Sequence, residues 1–262
     1  MKIDSHHHFW KYDASEYAWI GEEQSVLQRD FWPRDLVPEL IAAEIDGVVS
    51  VQARQTIEET ETLLDYATNS NFIKGVVGWV PLVDPQVRDH LDRFATHPAF
   101  KAVRHVIQDE PANDFILESN FNRGIALLRE FDLVYDILIY ERHLPQTIQF
   151  IDRHPEQDFV LDHIGKPCIR EQSFESWRET ITKLSKRPNI SCKLSGMVTE
   201  ADHARWTEEQ LQPYLDVILE SFGPRRLMFG SDWPVFLLGC SCQRWVHIIS
   251  RFVSQLSETE QA

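Results

Sequence analysis

Eight short runs rich in β-branched and aromatic residues alternate with eight amphipathic helical patterns along the 262 residues of the chain. The runs fall at 2–6, 47–52, 75–80, 101–105, 134–139, 159–163, 190–194 and 227–231. The helical patterns lie near 34–44, 56–70, 86–96, 120–131, 144–154, 173–187, 207–222 and 242–256. Eight β-then-α units in a chain of this length predict an α/β fold, a single (β/α)8 TIM barrel. An open doubly wound sheet would place a glycine-rich phosphate turn after the first run, where His6-His7-His8-Phe9-Trp10 stands instead. No internal repeat, low-complexity tract or Pro/Gly linker divides the chain, so one barrel domain over residues 1–262 is expected.

Local signals agree with that alternation. Thr207 with Gln210 reads as a capping box ahead of the stripe Leu211, Tyr214, Leu215, Ile218, Leu219 and Phe222. Thr56 with Glu59 reads as a second box ahead of Leu63, Leu64 and Ala67. The long irregular stretch between His8 and Phe31 holds Trp10, Tyr12, Tyr17 and Trp19, which suits a loop packed over the barrel mouth.

Side chains of a strand alternate between its two faces, so His6 and His8 point one way and His7 the other, toward the helix layer. Asp232 closes the last run, and only a closed barrel makes the first and last strands neighbours. Barrel chemistry sits at the C-terminal ends of the strands. Those ends read His6/His8, Gln52, Trp79, Arg104/His105, Tyr140, His163, Lys193/Ser195 and Asp232/Trp233. Arg104 is the sharpest of them, coming straight after the apolar Ala102 and Val103. His90, His97, His154 and His247 fall on helical patterns and His143 and His203 near loops, where structural or solvated roles are expected. Asp4 and Asp162 have two open readings, orienting a neighbouring histidine or bonding loop backbone.

Composition narrows the classes further. The net charge of −15 argues against an overall attraction to nucleic acid or an anionic membrane surface. No apolar stretch approaches the ~20 residues of a membrane span, and no basic-then-apolar leader precedes Lys2. Cys168, Cys192, Cys240 and Cys242 lack zinc-finger or CxxC spacing and read as buried or inert thiols of a reducing, cytoplasmic compartment. Oligomeric state is open, a homo-oligomer included.

The segments Ile3-Asp4-Ser5-His6-His7-His8-Phe9-Trp10, Val103-Arg104-His105, Leu161-Asp162-His163-Ile164-Gly165-Lys166-Pro167, Lys193-Leu194-Ser195-Gly196 and Phe229-Gly230-Ser231-Asp232-Trp233-Pro234 together resemble the amidohydrolase superfamily. They are most similar to its branch acting on sugar lactones and 2-pyrone-4,6-dicarboxylate, the fuconolactonase-like and rhamnonolactonase-like enzymes. The resemblance spans nearly the whole chain in order. It implies a hydrolase that opens a small polar, sugar-derived lactone.

Two departures from the family pattern stand out. Dinuclear members carry a bridging Lys or Glu after strand four and a His after strand five, where this chain has Arg104 and Ile137-Leu138-Ile139-Tyr140. One divalent ion, zinc or manganese, on His6, His8 and Asp232 is therefore the most the pattern implies, with His163 as a further candidate ligand. The resembling lactonases can also dispense with a metal, so no cofactor is required by the resemblance. The second departure is at the C-terminus, where the family's final Phe-rich segment and helix are not evident after Ser-Glu-Thr-Glu-Gln-Ala.

In the expected mechanism Asp232 takes a proton from water attacking the carbonyl, and His6, His8 and Arg104 face the developing oxyanion. His163 orients the substrate or protonates the leaving alkoxide. Gln52, Trp79, His105, Lys193 and Trp233 are the expected substrate contacts, holding ring hydroxyls or a carboxylate. A metal-dependent decarboxylase of the same superfamily is the alternative, and a non-catalytic small-molecule-binding barrel the second.

Overall fold

The computed structural model describes residues 1–171 and 174–261. Eight strands run parallel in one sheet in sequence order: β1 (Ile3–His7), β2 (Gly47–Val51), β3 (Ile73–Gly78), β4 (Phe100–Val106), β5 (Val134–Leu138), β6 (Phe159–Leu161), β7 (Ile190–Leu194) and β8 (Leu227–Phe229). Helices α1 (Pro33–Ala43), α2 (Ile57–Asn69), α3 (Val87–Phe94), α4 (Ser119–Leu128), α5 (Leu144–Arg153), α6 (Phe174–Leu184), α7 (Glu208–Phe222) and α8 (Cys242–Val253) follow the strands in turn. The expected start of the sixth helical pattern, residue 173, lies outside the described residues. A short α9 (Glu258–Gln261) comes after α8. Among the described residues, no helix is long and apolar enough to cross a membrane.

The expected (β/α)8 barrel is present, and it closes just past the end of β8. The Asp232 amide donates to the His6 carbonyl at 2.8 Å, and the His8 amide donates to the Trp233 carbonyl at 2.7 Å. β8 stops at Phe229, two residues short of the expected end, because side chains take its next backbone groups. The Trp245 indole donates to the Gly230 carbonyl at 2.9 Å, and the Ser231 amide donates to Asp4 Oδ1 at 2.8 Å. β6 likewise ends at Leu161, so Asp162 and His163 leave the strand rather than finish it.

Outward residues of the strands meet the helices in a large apolar layer. Tyr135 of β5 packs on Phe150 of α5 with ring centroids 6.0 Å apart, and Phe150 meets Phe159 of β6 at 5.2 Å. Trp177 of α6 lies 5.0 Å from Tyr214 of α7, and both are buried. The stripe of α7 faces inward as its spacing predicts, with Leu219 only partly buried. Thr207 and Gln210 cap that helix, the Gln210 side chain accepting from the Thr207 amide at 3.1 Å. The expected box at α2 is only half built. Thr56 accepts from the Glu59 amide at 3.2 Å, but the Glu59 carboxylate bonds the amides of Ala53 and Arg54 and secures the loop after β2.

Inside the barrel, Val51, Val77 and Ala102, with Val49 and Val134 against them, form a separate small apolar plug. One step further toward the C-terminal ends, the inward positions become charged: Arg104, Asp136 and Lys193 are all buried. The 8–31 segment folds over this end. Trp10, Tyr17 and Phe31 are buried, an antiparallel bridge ties Trp10 to Phe31, and Trp19 stays half exposed.

Candidate active site

His6 and His8 point into the barrel from one face of β1, and His7 goes to the opposite side. The His7 ring packs on Phe9 at 4.4 Å, and its Nε2 meets Ser50 Oγ at 3.0 Å. His6 Nε2 and His8 Nε2 lie 3.2 Å apart. Asp232 Oδ1 is 3.9 Å from the first and 3.5 Å from the second. His163 stacks its ring obliquely on His6 with centroids 4.5 Å apart. Arg104 Nη1 reaches to 3.3 Å from His6 Nε2. The first, fourth, sixth and eighth strands thus deliver His6, His8, Arg104, His163 and Asp232 to one place.

His163 arrives there by an unusual path. His163, Ile164, Gly165 and Lys166 all have positive φ, at 54°, 51°, 74° and 45°, forming one left-handed turn. Such a turn strains non-glycine residues by roughly 1–2 kcal/mol each, and a β-branched isoleucine tolerates it least. The Lys166 amide donates to the His163 carbonyl at 2.8 Å, and the Trp177 indole donates to the Ile164 carbonyl at 3.0 Å, holding the turn shut. Opposite it, Gly196 at φ 63° leaves room for the ring, because a Cβ there would come within 2.4 Å of His163 Nδ1.

Beneath these groups lies a buried charge layer. Asp162 Oδ2 accepts from Arg104 Nη1 at 2.9 Å, and Asp162 Oδ1 lies 3.0 Å from Lys193 Nζ. Lys193 also donates to Asp136 and sits 3.3 Å from His6 Nδ1. Burial pulls the Lys193 ammonium toward neutrality, but Asp136 and Asp162 more than offset this and keep it charged. Burial opposes ionisation of Asp162 too; Lys193, His6 and Arg104 overcome it and hold the carboxyl well below the usual range. Of the two readings left open, Asp162 is the partner of His6, whereas Asp4 bonds the backbone of His6 and Ser231.

The reactive groups are poised differently from one another. Burial drives His6 well below the usual histidine range, Lys193 adds to this, and Asp162 only partly reverses it. Burial lowers His163 to about 4, with Asp232 and Asp162 pulling back, so both rings are neutral at pH 7. At Asp232 burial pushes the pKa up, but His163, His8 and Lys166 outweigh it and hold the carboxyl below its ordinary value. An ionised carboxylate therefore faces two imidazoles at the floor of the mouth.

Above that floor opens a cleft of about 610 Å³, lined by His8, Arg104, His163 and Asp232 and walled by residues from several loops. Trp10 and Trp19 come from the long aromatic loop, as expected. Five expected substrate contacts do not line it. Gln52 is fully buried and exchanges hydrogen bonds with Arg104, its Oε1 lying 3.4 Å from Nη2. Lys193 is committed to the charge layer below. His105 and Trp79 face the helix layer, where the Trp79 indole donates to His105 Nδ1 at 3.3 Å and His105 Nε2 meets Glu110 at 2.7 Å. Strand parity explains the His105 error: Arg104 points inward, so its neighbour must point out. Trp233 packs among Phe9, Phe31 and His7.

The walls hold residues that strand-end reading missed: Glu16, Arg54, Lys166, Glu200 and His203. All sit on loops, where periodicity is silent. Asp136 was also missed, although an aspartate in Val-Tyr-Asp-Ile-Leu with inward parity was a readable signal.

His6, His8 and Asp232 fit a single metal ion. Their ligating atoms lie within 4.8 Å of one another. His8 Nδ1 donates to the Val51 carbonyl at 2.8 Å, which leaves the lone pair of a neutral ring on Nε2. Asp162 Oδ1, buried and 3.0 Å from Lys193 Nζ, also lies 3.3 Å from His6 Nδ1, placed to accept its proton when Nε2 binds an ion. His6, Asp162 and His163 also bring ligating atoms within 4.8 Å of one another, but that trio shares His6 with the first, and its Asp162 already holds Arg104 and Lys193.

A (β/α)8 barrel with a His-x-His pair, a closing Asp and this cleft defines an amidohydrolase-type site, and residues 3–262 match the Amidohydrolase family model: the chain belongs to that family. It is similar to an L-fucono-1,5-lactonase of Burkholderia multivorans, 40% identical over 273 residues that cover 100% of this chain and 92% of that protein. A crystal structure of an amidohydrolase from Burkholderia multivorans with bound zinc matches with a TM-score of 0.97 at 40% identity, covering 100% of this chain and 94% of that one. The 2,6-dihydroxybenzoate decarboxylase from Rhizobium, the counterpart of the decarboxylase alternative, has a TM-score of 0.68 at 12% identity over 99% and 94% of the two chains, a likeness of fold alone.

Proposed function

We propose that this protein hydrolyses the lactone of a small sugar acid, with L-fucono-1,5-lactone or a near homologue as its substrate. The observation that carries the reaction type is Asp232, ionised, 3.5 Å from His8 and facing a cleft that Arg104 also lines. The full-length similarity to an L-fucono-1,5-lactonase supports the substrate class.

In this reading a water held between Asp232 and His8 attacks the lactone carbonyl, and Asp232 accepts its proton. Arg104 lines the cleft beside Asp232 and His8, and its positive field would stabilise negative charge gathering on the carbonyl oxygen of the tetrahedral intermediate. The C–O bond of the ring then breaks, and the ring oxygen takes the proton from Asp232. Ser195 Oγ lies 2.9 Å from His163 Nδ1; with the hydroxyl donating there, the neutral ring carries its proton on Nε2 and can hold the ring oxygen. The product carboxylic acid ionises and releases one proton to solution. A divalent ion on His6, His8 and Asp232 would polarise the carbonyl and acidify the water.

The test is proton release on adding aldonolactones, L-fucono-1,5-lactone among them, to the purified protein. Turnover of at least one such lactone well above spontaneous hydrolysis is expected. A panel without turnover would overturn the proposal.

A further inference from the structure

The cleft walls carry four carboxylates, Glu16, Asp109, Glu200 and Asp232, against three permanent cations, Arg54, Arg104 and Lys166. Each of those cations is already paired. Arg54 binds Glu16 and holds Glu59 at 2.9 Å, Arg104 holds Asp162 at 2.9 Å, and Lys166 Nζ lies 3.5 Å from Glu200 Oε1. Lys166 is the one closest to serving a substrate anion, because it follows the left-handed turn that carries His163 and its charge acts on both His163 and Asp232. Its side chain and that of Glu200 are only 14% and 19% exposed, so the pair is partly shielded from water and keeps much of its strength.

We infer that Glu200 is a specificity-determining residue: by neutralising Lys166 it tunes the cleft to uncharged, polyhydroxylated lactones and against lactones that carry a carboxylate. The inference rests on the lactonase reading and names the substrate class within it. A carboxylate beside an ammonium suits a sugar, since Glu200 can accept from one hydroxyl while Lys166 donates to the next. A substrate carboxylate would meet an excess of negative charge with no unpaired Lys or Arg among the described lining residues. The same balance serves turnover, because ring opening converts a neutral substrate into an anion that these walls repel.

The experiment compares kcat/KM for neutral galactono-1,4-lactone with that for the 1,4-lactone of glucaric acid, which bears a free carboxylate. The parent enzyme should favour the neutral lactone by about a hundredfold or more. Glu200→Gln removes one negative charge and frees Lys166, and should shrink that ratio at least about tenfold, mainly through a lower KM for the acidic lactone. Lys166→Met removes the cation instead and should leave the ratio at or above the parent value. A parent ratio near one, an unchanged ratio in a Glu200→Gln variant that melts like the parent, or an equal collapse in Lys166→Met would each overturn the inference. Hydrolysis of both lactones at similar rates would leave the lactonase reading standing and overturn this inference; hydrolysis of neither, with L-fucono-1,5-lactone also left intact, would remove that reading and this inference together.

Discussion

On the outer face of the barrel sheet, Tyr135 and Phe159 pack against Phe150 of α5, buried among other apolar rings. On the inner face, one residue further along β5, Asp136 is equally buried and binds the Lys193 ammonium. The outer layer follows the ordinary logic of apolar burial, at roughly 25 cal/mol per Å² removed from water. The inner layer does not, since buried ion pairs barely repay the desolvation of their charges. Its two cations and two carboxylates are better understood as the scaffold that orients His6 and steadies Arg104 below the reaction site. Stability and chemistry are thus assigned to opposite faces of the same strands.

That division can be broken by experiment. The largest effect is expected on the outer face, where Phe150→Ala should cost about 3–5 kcal/mol of unfolding free energy in denaturant titrations. The folded variant should keep kcat/KM within about twofold of the parent. Lost activity with unchanged stability would show that the outer layer shapes the site directly.

Asp232→Asn reverses the pattern. Asn keeps the shape but cannot accept the water proton, so turnover should fall by about 10² or more while the melting temperature stays near the parent value. Parent-like turnover in the folded variant would pass the role of base to His163. A smaller effect is expected at Arg104→Lys, which keeps the charge but loses the fork that bonds Asp162 and Gln52 together. We expect kcat/KM to drop at least about tenfold, or about 1.4 kcal/mol of transition-state stabilisation.

The smallest effect concerns metal. Arg104 and Lys193 already supply positive charge next to His6, at 3.3 Å each. Dialysis against a chelator should therefore leave lactonase activity within about twofold. Complete loss restored by zinc or manganese would make an ion on His6, His8 and Asp232 the main source of that charge.

Much of this was legible in the residues alone. The alternation of β-rich runs and amphipathic helices specified the barrel, because burying eight parallel strands under eight helices leaves few other solutions. Parity separated His6 and His8 from His7. Barrel closure brought Asp232 to them, since the last strand must neighbour the first. Polar residues at the strand ends do not all face the mouth. His105 and Trp79 belong to the outer layer, and Lys193 lies one layer too deep.

Only the tertiary structure decided the rest. Whether a charged side chain meets substrate or another protein charge depends on what stands opposite it, and neighbouring strands contribute from dozens of residues away. Asp162 stands between the end of β6 and a left-handed turn that no periodicity announces, yet it is the group that joins Arg104, Lys193 and His6. The cleft walls, Arg54 with Glu16 and Lys166 with Glu200, come from separate loops. The sequence by itself determined the barrel and the residues of its reactive floor, because strand period and strand order are local and topological properties. The charge balance around the substrate depends on distances between side chains from distant loops, and those exist only once the chain has folded.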